Sequence, residues 1–132
     1  MWLKKILVDW YKKHIIKANT PKIRLWVDDE RDPRDPVIQK NFGAVGDEVW
    51  VKTEQEAIEY LSQGNVEFIS LDCDLGENAG RGYKVAEWIE EKAFNHQLAP
   101  MEWEVHSQNS VEALKSIQAL LKADLYWDAL DH

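Results

Sequence analysis

Residues 68–76 read FISLDCDLG, a run of apolar side chains that ends in two aspartates. Residues 23–30, IRLWVDDE, and residues 103–109, WEVHSQN, also end in dense polar clusters. Short apolar runs of this kind are typical of strands that are covered on both faces of a parallel sheet. The carboxyl ends of such strands face one crevice, where α/β folds bind their ligands. The three runs therefore predict an α/β fold with one polar site at the strand ends.

The predicted crevice collects acidic and hydrogen-bonding side chains from three distant parts of the chain. Carboxylates at close quarters repel each other unless a cation or a shared proton relieves them. A hard cation such as Mg²⁺ prefers oxygen ligands of this type. The pattern therefore predicts a metal or phosphate site. The residues that it brings together are Asp28, Asp29, Asp72, Asp74, His106 and Ser107.

Predicted strands and helices alternate along the chain. Thr53 and Glu56 form a capping box at the start of one helix, and Gly64 ends that helix. This alternation favours a doubly wound, largely parallel sheet of about four strands with flanking helices. The expected strands cover residues 23–27, 48–52, 66–71 and 102–105, and the expected helices cover residues 53–64, 83–95 and 110–122.

The segment between the first two strands has the weakest pattern. Pro33 and Pro36 predict an irregular loop after the first strand. Residues 41–43, Asn-Phe-Gly, together with Gly46, leave little room for a full helix before the second strand.

Length and composition indicate one globular domain. The chain has 132 residues, of which 45% are hydrophobic and 30% charged. We expect an amphipathic helix over residues 1–20 and the α/β domain over residues 21–132. The helix is expected to pack on the sheet; dimerisation through it and binding to a membrane surface are the alternatives. Its apolar stripe comprises Trp2, Leu3, Ile6, Leu7, Trp10, Tyr11, His14 and Ile15.

The charge distribution limits the partners and the compartment. The net charge is −8, and because residues 1–24 carry +6, the remainder carries −14. This acidic body argues against general DNA binding. The single Cys73 excludes an internal disulfide and fits a reducing cytosol. The apolar runs are too short to span a bilayer, and lysines interrupt the N-terminus, so we expect a cytoplasmic protein.

The acidic cluster resembles that of response-regulator receiver domains, which are flavodoxin-like. The resemblance implies that Asp28 and Asp29 help to hold Mg²⁺, that Asp72 accepts a phosphoryl group, and that Ser107 is the hydroxyl residue at the end of the fourth strand. Receivers also carry a lysine on a fifth strand. This sequence has no such strand and no lysine between His106 and the last helix, which argues against an ordinary phosphoacceptor.

The chain is more similar to the cyclic-phosphate processing receiver-like domains, over about residues 23–114. Their pattern is Asp-Asp-x-Arg-x-Pro, then Asp-His-Asp-Leu-Gly, then Gly-Tyr, then His-Ser-x-Asn. The four motifs occur here in order, and only together are they specific. They lie at residues 28–33, 72–76, 82–83 and 106–109.

This resemblance implies a metal-dependent hydrolase, a phosphodiesterase or phosphoesterase that acts on a cyclic nucleotide or a cyclic-phosphate end. A non-catalytic module that binds a nucleotide or a protein partner is the alternative. Opening a cyclic phosphate requires an activated water, charge stabilisation and a proton for the leaving alkoxide. The roles are assigned as follows: Mg²⁺ or Mn²⁺ on Asp28, Asp29 and Asp72; catalysis by His106, Asp72 and Asp74; phosphate binding by Arg31, Ser107, Asn109 and Gly76.

Other interpretations of the same residues remain open. The aspartates would also serve as turn formers and strand caps, and Arg31 would also pair with Asp32 or Asp35. An Asp-x-Asp after a buried strand is similar to haloacid-dehalogenase-like phosphatases, but those need their acidic pair downstream. Cys73 stands where the family pattern has histidine. It would replace that histidine as a metal ligand, leave a site that binds without turnover, or be a small core residue.

Overall fold

The computed structural model describes residues 3–7, 21–75, 80–106 and 110–130. Residues 3–7 are helical and are called α1. The elements that follow are β1 (Ile23–Val27), α2 (Pro36–Phe42), β2 (Val49–Val51), α3 (Glu54–Ser62), β3 (Val66–Leu71), α4 (Gly82–Phe94), β4 (Glu102–Val105) and α5 (Ser110–Leu130).

The four strands form one parallel sheet in the order β2-β1-β3-β4. The chain moves from β1 to β2 on one side and then crosses to β3 and β4 on the other. The strand order therefore reverses at β1 and β3, which is where open α/β sheets bind their ligands. This arrangement confirms the predicted receiver-like, flavodoxin-like α/β fold.

One face of the sheet builds the hydrophobic core with helices α3, α4 and α5. Leu25 and Ile69, adjacent in the strand register, are fully buried there beside Leu61 and Ile89. Alternation along the strands sends Trp26 to the opposite face, where it is also fully buried. Burial on both faces explains why β1 and β3 read as apolar runs.

Helix α2 corrects the expectation that the segment after β1 has little room for a helix. Asp35 caps the helix by accepting a hydrogen bond from the Val37 N–H at 2.9 Å, and Pro36 begins it. Proline fits this first position because its missing N–H would have had no helical partner. Gly43, with a φ of 81°, ends the helix in the left-handed region. Two turns thus form between the prolines and the glycine, and they place Phe42 near the strand ends.

The other helices follow their predicted starts more closely than their predicted ends. The Thr53 Oγ1 accepts a hydrogen bond from the Glu56 N–H at 3.1 Å, as the capping box predicted. Helix α5 was expected to end near Lys122 but runs to Leu130. It continues because no Gly or Pro interrupts it and because Trp127 is buried, its indole N–H donating to the Leu98 carbonyl at 2.9 Å.

The N-terminal predictions fall largely outside the described residues. Leu3 and Ile6 in α1 are 60% and 43% exposed. Residues 1–2 and 8–20 lie outside the described part of the chain, so the packing of the full apolar stripe and dimerisation through it stay predictions. Among the described helices, none combines the length and apolarity that crossing a bilayer requires.

Candidate metal and phosphate site

The parallel hydrogen-bond ladder continues one residue beyond three strands and aligns the site. The Asp28 N–H donates to the Val51 carbonyl at 3.0 Å, and the Asp72 N–H donates to the Val27 carbonyl at 2.9 Å. The His106 N–H donates to the Leu71 carbonyl at 3.1 Å. Backbone pairing therefore places Asp28, Asp72 and His106 side by side at the carboxyl edge of the sheet.

Asp28 is the centre of this arrangement and is fully buried. Its Oδ1 accepts backbone N–H groups of Glu30 at 2.8 Å and Arg31 at 2.9 Å. Its Oδ2 lies 3.1 Å from the Arg31 Nη1 and 2.9 Å from the His106 Nε2. Burial by itself would raise the pKa of Asp28, but the hydrogen bonds from His106 and from Arg31 and Glu30 outweigh it and hold the pKa below its usual value. Asp28 is thus an ionised carboxylate that also shapes the turn after β1.

Asp29 and Asp72 complete a cluster of three carboxylates. One oxygen from each of Asp28, Asp29 and Asp72 lies within 4.8 Å of the other two. Burial raises the pKa of Asp72, and repulsion from Asp28 raises it further. The Asp74 N–H, His106 and Arg31 oppose this rise without cancelling it. The structure therefore brings together the three residues predicted to hold a metal.

His106 is held on all sides. Its Nε2 faces Asp28, its Nδ1 lies 2.8 Å from the Ser70 Oγ, and its ring stacks on Trp26 with 4.0 Å between centroids. The Phe42 ring approaches its edge at 6.3 Å. Sequence reasoning missed Ser70 and Trp26. The sequence signal for Ser70 was that it is a single hydroxyl residue within the apolar run of β3. In the sheet, Ser70 lies opposite Trp26 in the strand register.

Arg31 provides positive charge inside the acidic cluster. Its Nη1 lies 3.1 Å from the Asp28 Oδ2 and 3.5 Å from the Asp72 Oδ2. The guanidinium lies over the Phe42 ring at 4.4 Å, and the Arg31 carbonyl accepts the Trp26 indole N–H at 3.0 Å. Asp32 pairs with the neighbouring Arg34, whereas Arg31 pairs with Asp28 and Asp72.

The remaining predicted site residues divide into two groups. The side chain of Asp74 is exposed, and its backbone N–H donates to the Asp72 Oδ1 at 3.3 Å. Asp74 does not belong to the carboxylate cluster of the described residues. Ser107, Asn109 and Gly76 lie outside the described residues, so their phosphate-binding roles stay predictions.

Cys73 lies in the core, and among the described residues it is not part of the carboxylate cluster. Its side chain is fully buried, and its Sγ lies 3.0 Å from the Ser116 Oγ of α5. The alternation after β3 explains the direction, because Asp72 points to the strand-end crevice and the next side chain points into the core. The interpretation of Cys73 as a small core residue is therefore the one the structure supports.

A groove opens beside the site, between the end of α2 and strand β4. It has a volume of about 640 Å³, within the range of small-molecule sites. Asn41, Phe42, Glu104 and His106 are among its lining residues.

The fold and the strand-end carboxylates together define a receiver-like α/β protein. In the described residues its sheet lacks the fifth strand that carries a lysine in ordinary receivers. The model of the cyclic-phosphate processing receiver domain matches residues 23–123, which is most of the chain. The chain therefore belongs to this family, and it is a receiver-like domain associated with cyclic-phosphate processing. Comparisons with curated proteins and with solved structures find no match.

Proposed function

We propose that this protein is a divalent-metal-dependent phosphoesterase that opens a cyclic phosphate or a cyclic nucleotide. The observation that carries the proposal is the convergence of three carboxylates, with oxygens within 4.8 Å, beside a buried histidine and an arginine. The family to which the chain belongs supports the choice of substrate class.

The donor set fits a hard divalent cation. Asp28, Asp29 and Asp72 would hold Mg²⁺ or Mn²⁺, which prefer carboxylate oxygens and keep several waters. When bound, such an ion supplies an activated water and polarises a phosphoryl oxygen. Asp29 is the most accessible of the three, being half-buried where the other two are buried. The cluster thus has an open side from which ligands can approach.

The protein's own groups supply proton and phosphate contacts. His106 bridges Ser70 and Asp28, and a ring N–H at Nε2 would donate to the Asp28 Oδ2 and keep that carboxylate oriented. The raised pKa of Asp72 belongs to the metal-free cluster. As a metal ligand Asp72 would be ionised, so its role in this proposal is to hold the ion. Arg31 offers a planar fork for non-bridging phosphate oxygens. The groove beside His106 offers space and the Phe42 ring for the remainder of a nucleotide.

An assay of hydrolysis tests the proposal. Purified protein is incubated with Mg²⁺ or Mn²⁺ and a panel of 2′,3′- and 3′,5′-cyclic nucleotides, and products are separated by chromatography. We expect ring-opened product that disappears with EDTA, and a loss of at least about a hundredfold in Asp29→Asn and Asp72→Asn. Asp32→Asn is the matched control, because Asp32 lies in the same loop but pairs with Arg34. Product that forms equally well in EDTA would refute metal dependence.

A binding module is the second candidate, and one observation favours it. Both ring nitrogens of His106 have partners, and its side chain is only 3% exposed, so direct proton transfer to a ligand requires the ring to move. For this candidate, a cyclic nucleotide would raise the melting temperature without being converted to product.

A further inference from the structure

Arg31 occupies the carboxylate oxygens that a divalent ion would need. Its Nη1 lies against the Oδ2 atoms of Asp28 and Asp72, two of the three carboxylates in the cluster. We propose that Arg31 is a built-in counter-cation that a divalent ion displaces, and that the displaced guanidinium then binds the phosphate of the substrate. This inference rests on the proposed function and names how metal and phosphate binding are coupled within that site.

Electrostatics favours exchange over shared occupancy. A guanidinium and a divalent ion carry like charges, so at a separation of a few ångströms they repel each other. Both cations would also use the same Oδ2 atoms of Asp28 and Asp72, and an oxygen lone pair that coordinates a metal is no longer available to the Arg31 Nη1. A metal that enters therefore pushes the guanidinium away from Asp28 and Asp72.

The contacts of Arg31 separate a fixed main chain from a replaceable side chain. Its backbone N–H donates to the Asp28 Oδ1 at 2.9 Å, and its carbonyl accepts the Trp26 indole N–H at 3.0 Å. The guanidinium, in contrast, is held by the Phe42 ring and by the two carboxylates, and the contact to Asp72 is 3.5 Å long. The side chain is 22% exposed, so it reaches the surface of the crevice. A change of side-chain rotamer can move the charge while the loop stays in place.

Displacement couples the two ligands. Before the metal binds, the guanidinium is engaged by the carboxylates and is a poor phosphate ligand. After the metal binds, the guanidinium is released from the carboxylates and can donate two parallel hydrogen bonds to two oxygens of a phosphate. Because linkage is reciprocal, bound phosphate must strengthen metal binding by the same factor that metal strengthens phosphate binding.

The proposal predicts effects of opposite sign in one variant. In Arg31→Gln, we expect Mn²⁺ measured alone by electron paramagnetic resonance to bind about tenfold more tightly, because no tethered cation competes. In the same variant, we expect inorganic phosphate, titrated by calorimetry at saturating Mg²⁺, to bind about tenfold more weakly. Arg31→Lys retains a charge without the fork, so its Mn²⁺ affinity should stay near that of the wild type while phosphate binding weakens.

Arg34→Gln is the matched control. Arg34 is exposed and belongs to the same loop but pairs with Asp32, so neither affinity should change. Circular dichroism checks that each variant is folded.

The outcomes separate this inference from the proposed function. Equal Mn²⁺ affinity in Arg31→Gln and wild type, or weaker binding in the variant, overturns the exchange while leaving a metal site intact. Absence of Mn²⁺ binding in wild type, Arg31→Gln and Arg34→Gln alike overturns the metal site and, with it, the proposed function.

Discussion

At the scale of single residues, two aspartates in one cluster are in opposite electrostatic situations. Asp28 accepts four hydrogen bonds, and its pKa is lowered although burial alone would raise it. The pKa of Asp72 is raised, first by burial and then by the charge of Asp28. The fold therefore stabilises the ionised form of Asp28 and destabilises the ionised form of Asp72.

Replacing each aspartate with asparagine should change stability in opposite directions. We expect Asp28→Asn to lower the free energy of unfolding by about 2–4 kcal/mol at pH 7, because it removes a buried carboxylate from charged partners. We expect Asp72→Asn to raise it by about 0.5–1 kcal/mol, because it relieves repulsion. Urea denaturation in metal-free buffer measures both. A destabilised Asp72→Asn would contradict this account.

The same shifts predict the pH dependence of the two effects. The contribution of Asp28 is present above its ordinary pKa, near 3.8, and is lost as the pH falls through its lower folded value. For Asp72 the folded pKa lies above 3.8, so the ionised form is what costs stability. The increase in the free energy of unfolding in Asp72→Asn should therefore be complete at a pH well above the raised pKa of Asp72. It should disappear below about pH 3.8. Unfolding curves between pH 3 and 7 check both trends.

At the scale of elements, a close approach fixes the start of α4 against the end of β3. The Gly82 N–H donates to the Cys73 carbonyl at 3.1 Å, and a Cβ added at Gly82 would lie 1.8 Å from the carbonyl oxygen of Asp72. The family motif Gly-Tyr thus has a physical reason, since only glycine lets this helix lie against the site backbone.

Gly82→Ala should be more damaging than an alanine at another glycine. We expect a loss of about 2–4 kcal/mol in the free energy of unfolding and weaker metal binding, because the Asp72 backbone must shift. Gly64→Ala is the control: Gly64 has a φ of 82° but open space around its Cβ position, so only about 1 kcal/mol should be lost. Equal losses in the two variants, measured by urea denaturation, would exclude the close approach as the cause.

The extension of α5 beyond its predicted end also has an energetic test. Trp127 is 4% exposed and bonded to Leu98, whereas Leu125 is 66% exposed on the same helix. We expect Trp127→Ala to cost about 3–5 kcal/mol and Leu125→Ala less than about 0.5 kcal/mol. Thermal and urea unfolding of both variants compare the losses. A small effect of Trp127→Ala would mean that the last two turns do not contribute to the core.

At the scale of the whole molecule, cations act both on the overall acidic charge and on the carboxylate cluster. The two effects on stability must therefore be measured separately. The net charge of −8 gives any salt some stabilising effect through screening. A specific site adds a contribution that saturates with ligand concentration.

Mg²⁺ should stabilise the protein more than its ionic strength explains. At ten times the dissociation constant we expect a gain of about 1.4 kcal/mol, which raises the melting temperature by about 5 °C. NaCl at matched ionic strength gives the screening baseline. Asp29→Asn should lose the specific part, because Asp29 is one of the three clustered carboxylates. If NaCl reproduces the whole shift, the cluster does not bind the metal.

Much of the fold was readable from the sequence, because its signals are local. Burial on both faces gives the apolar runs of β1 and β3, and polar residues follow wherever such a strand reaches the edge of a parallel sheet. That logic located Asp28, Asp72 and His106 without coordinates. It failed for α2, where capping at Asp35 and Gly43 allows a short helix among residues that usually break helices. It also failed for the end of α5, where tertiary burial of Trp127 extends the helix.

Only the tertiary structure decided which groups are partners at the strand ends. Ser70 and His106 are 36 positions apart and Asp28 and His106 are 78 apart, and strand order with register brings each pair within 3 Å. No periodic pattern encodes such a pairing, because periodicity reports which face a residue occupies and not what lies opposite it. The sequence alone thus determined the α/β class and the acidic strand ends. The three-dimensional arrangement assigned Arg31 to the carboxylates and Cys73 to the core.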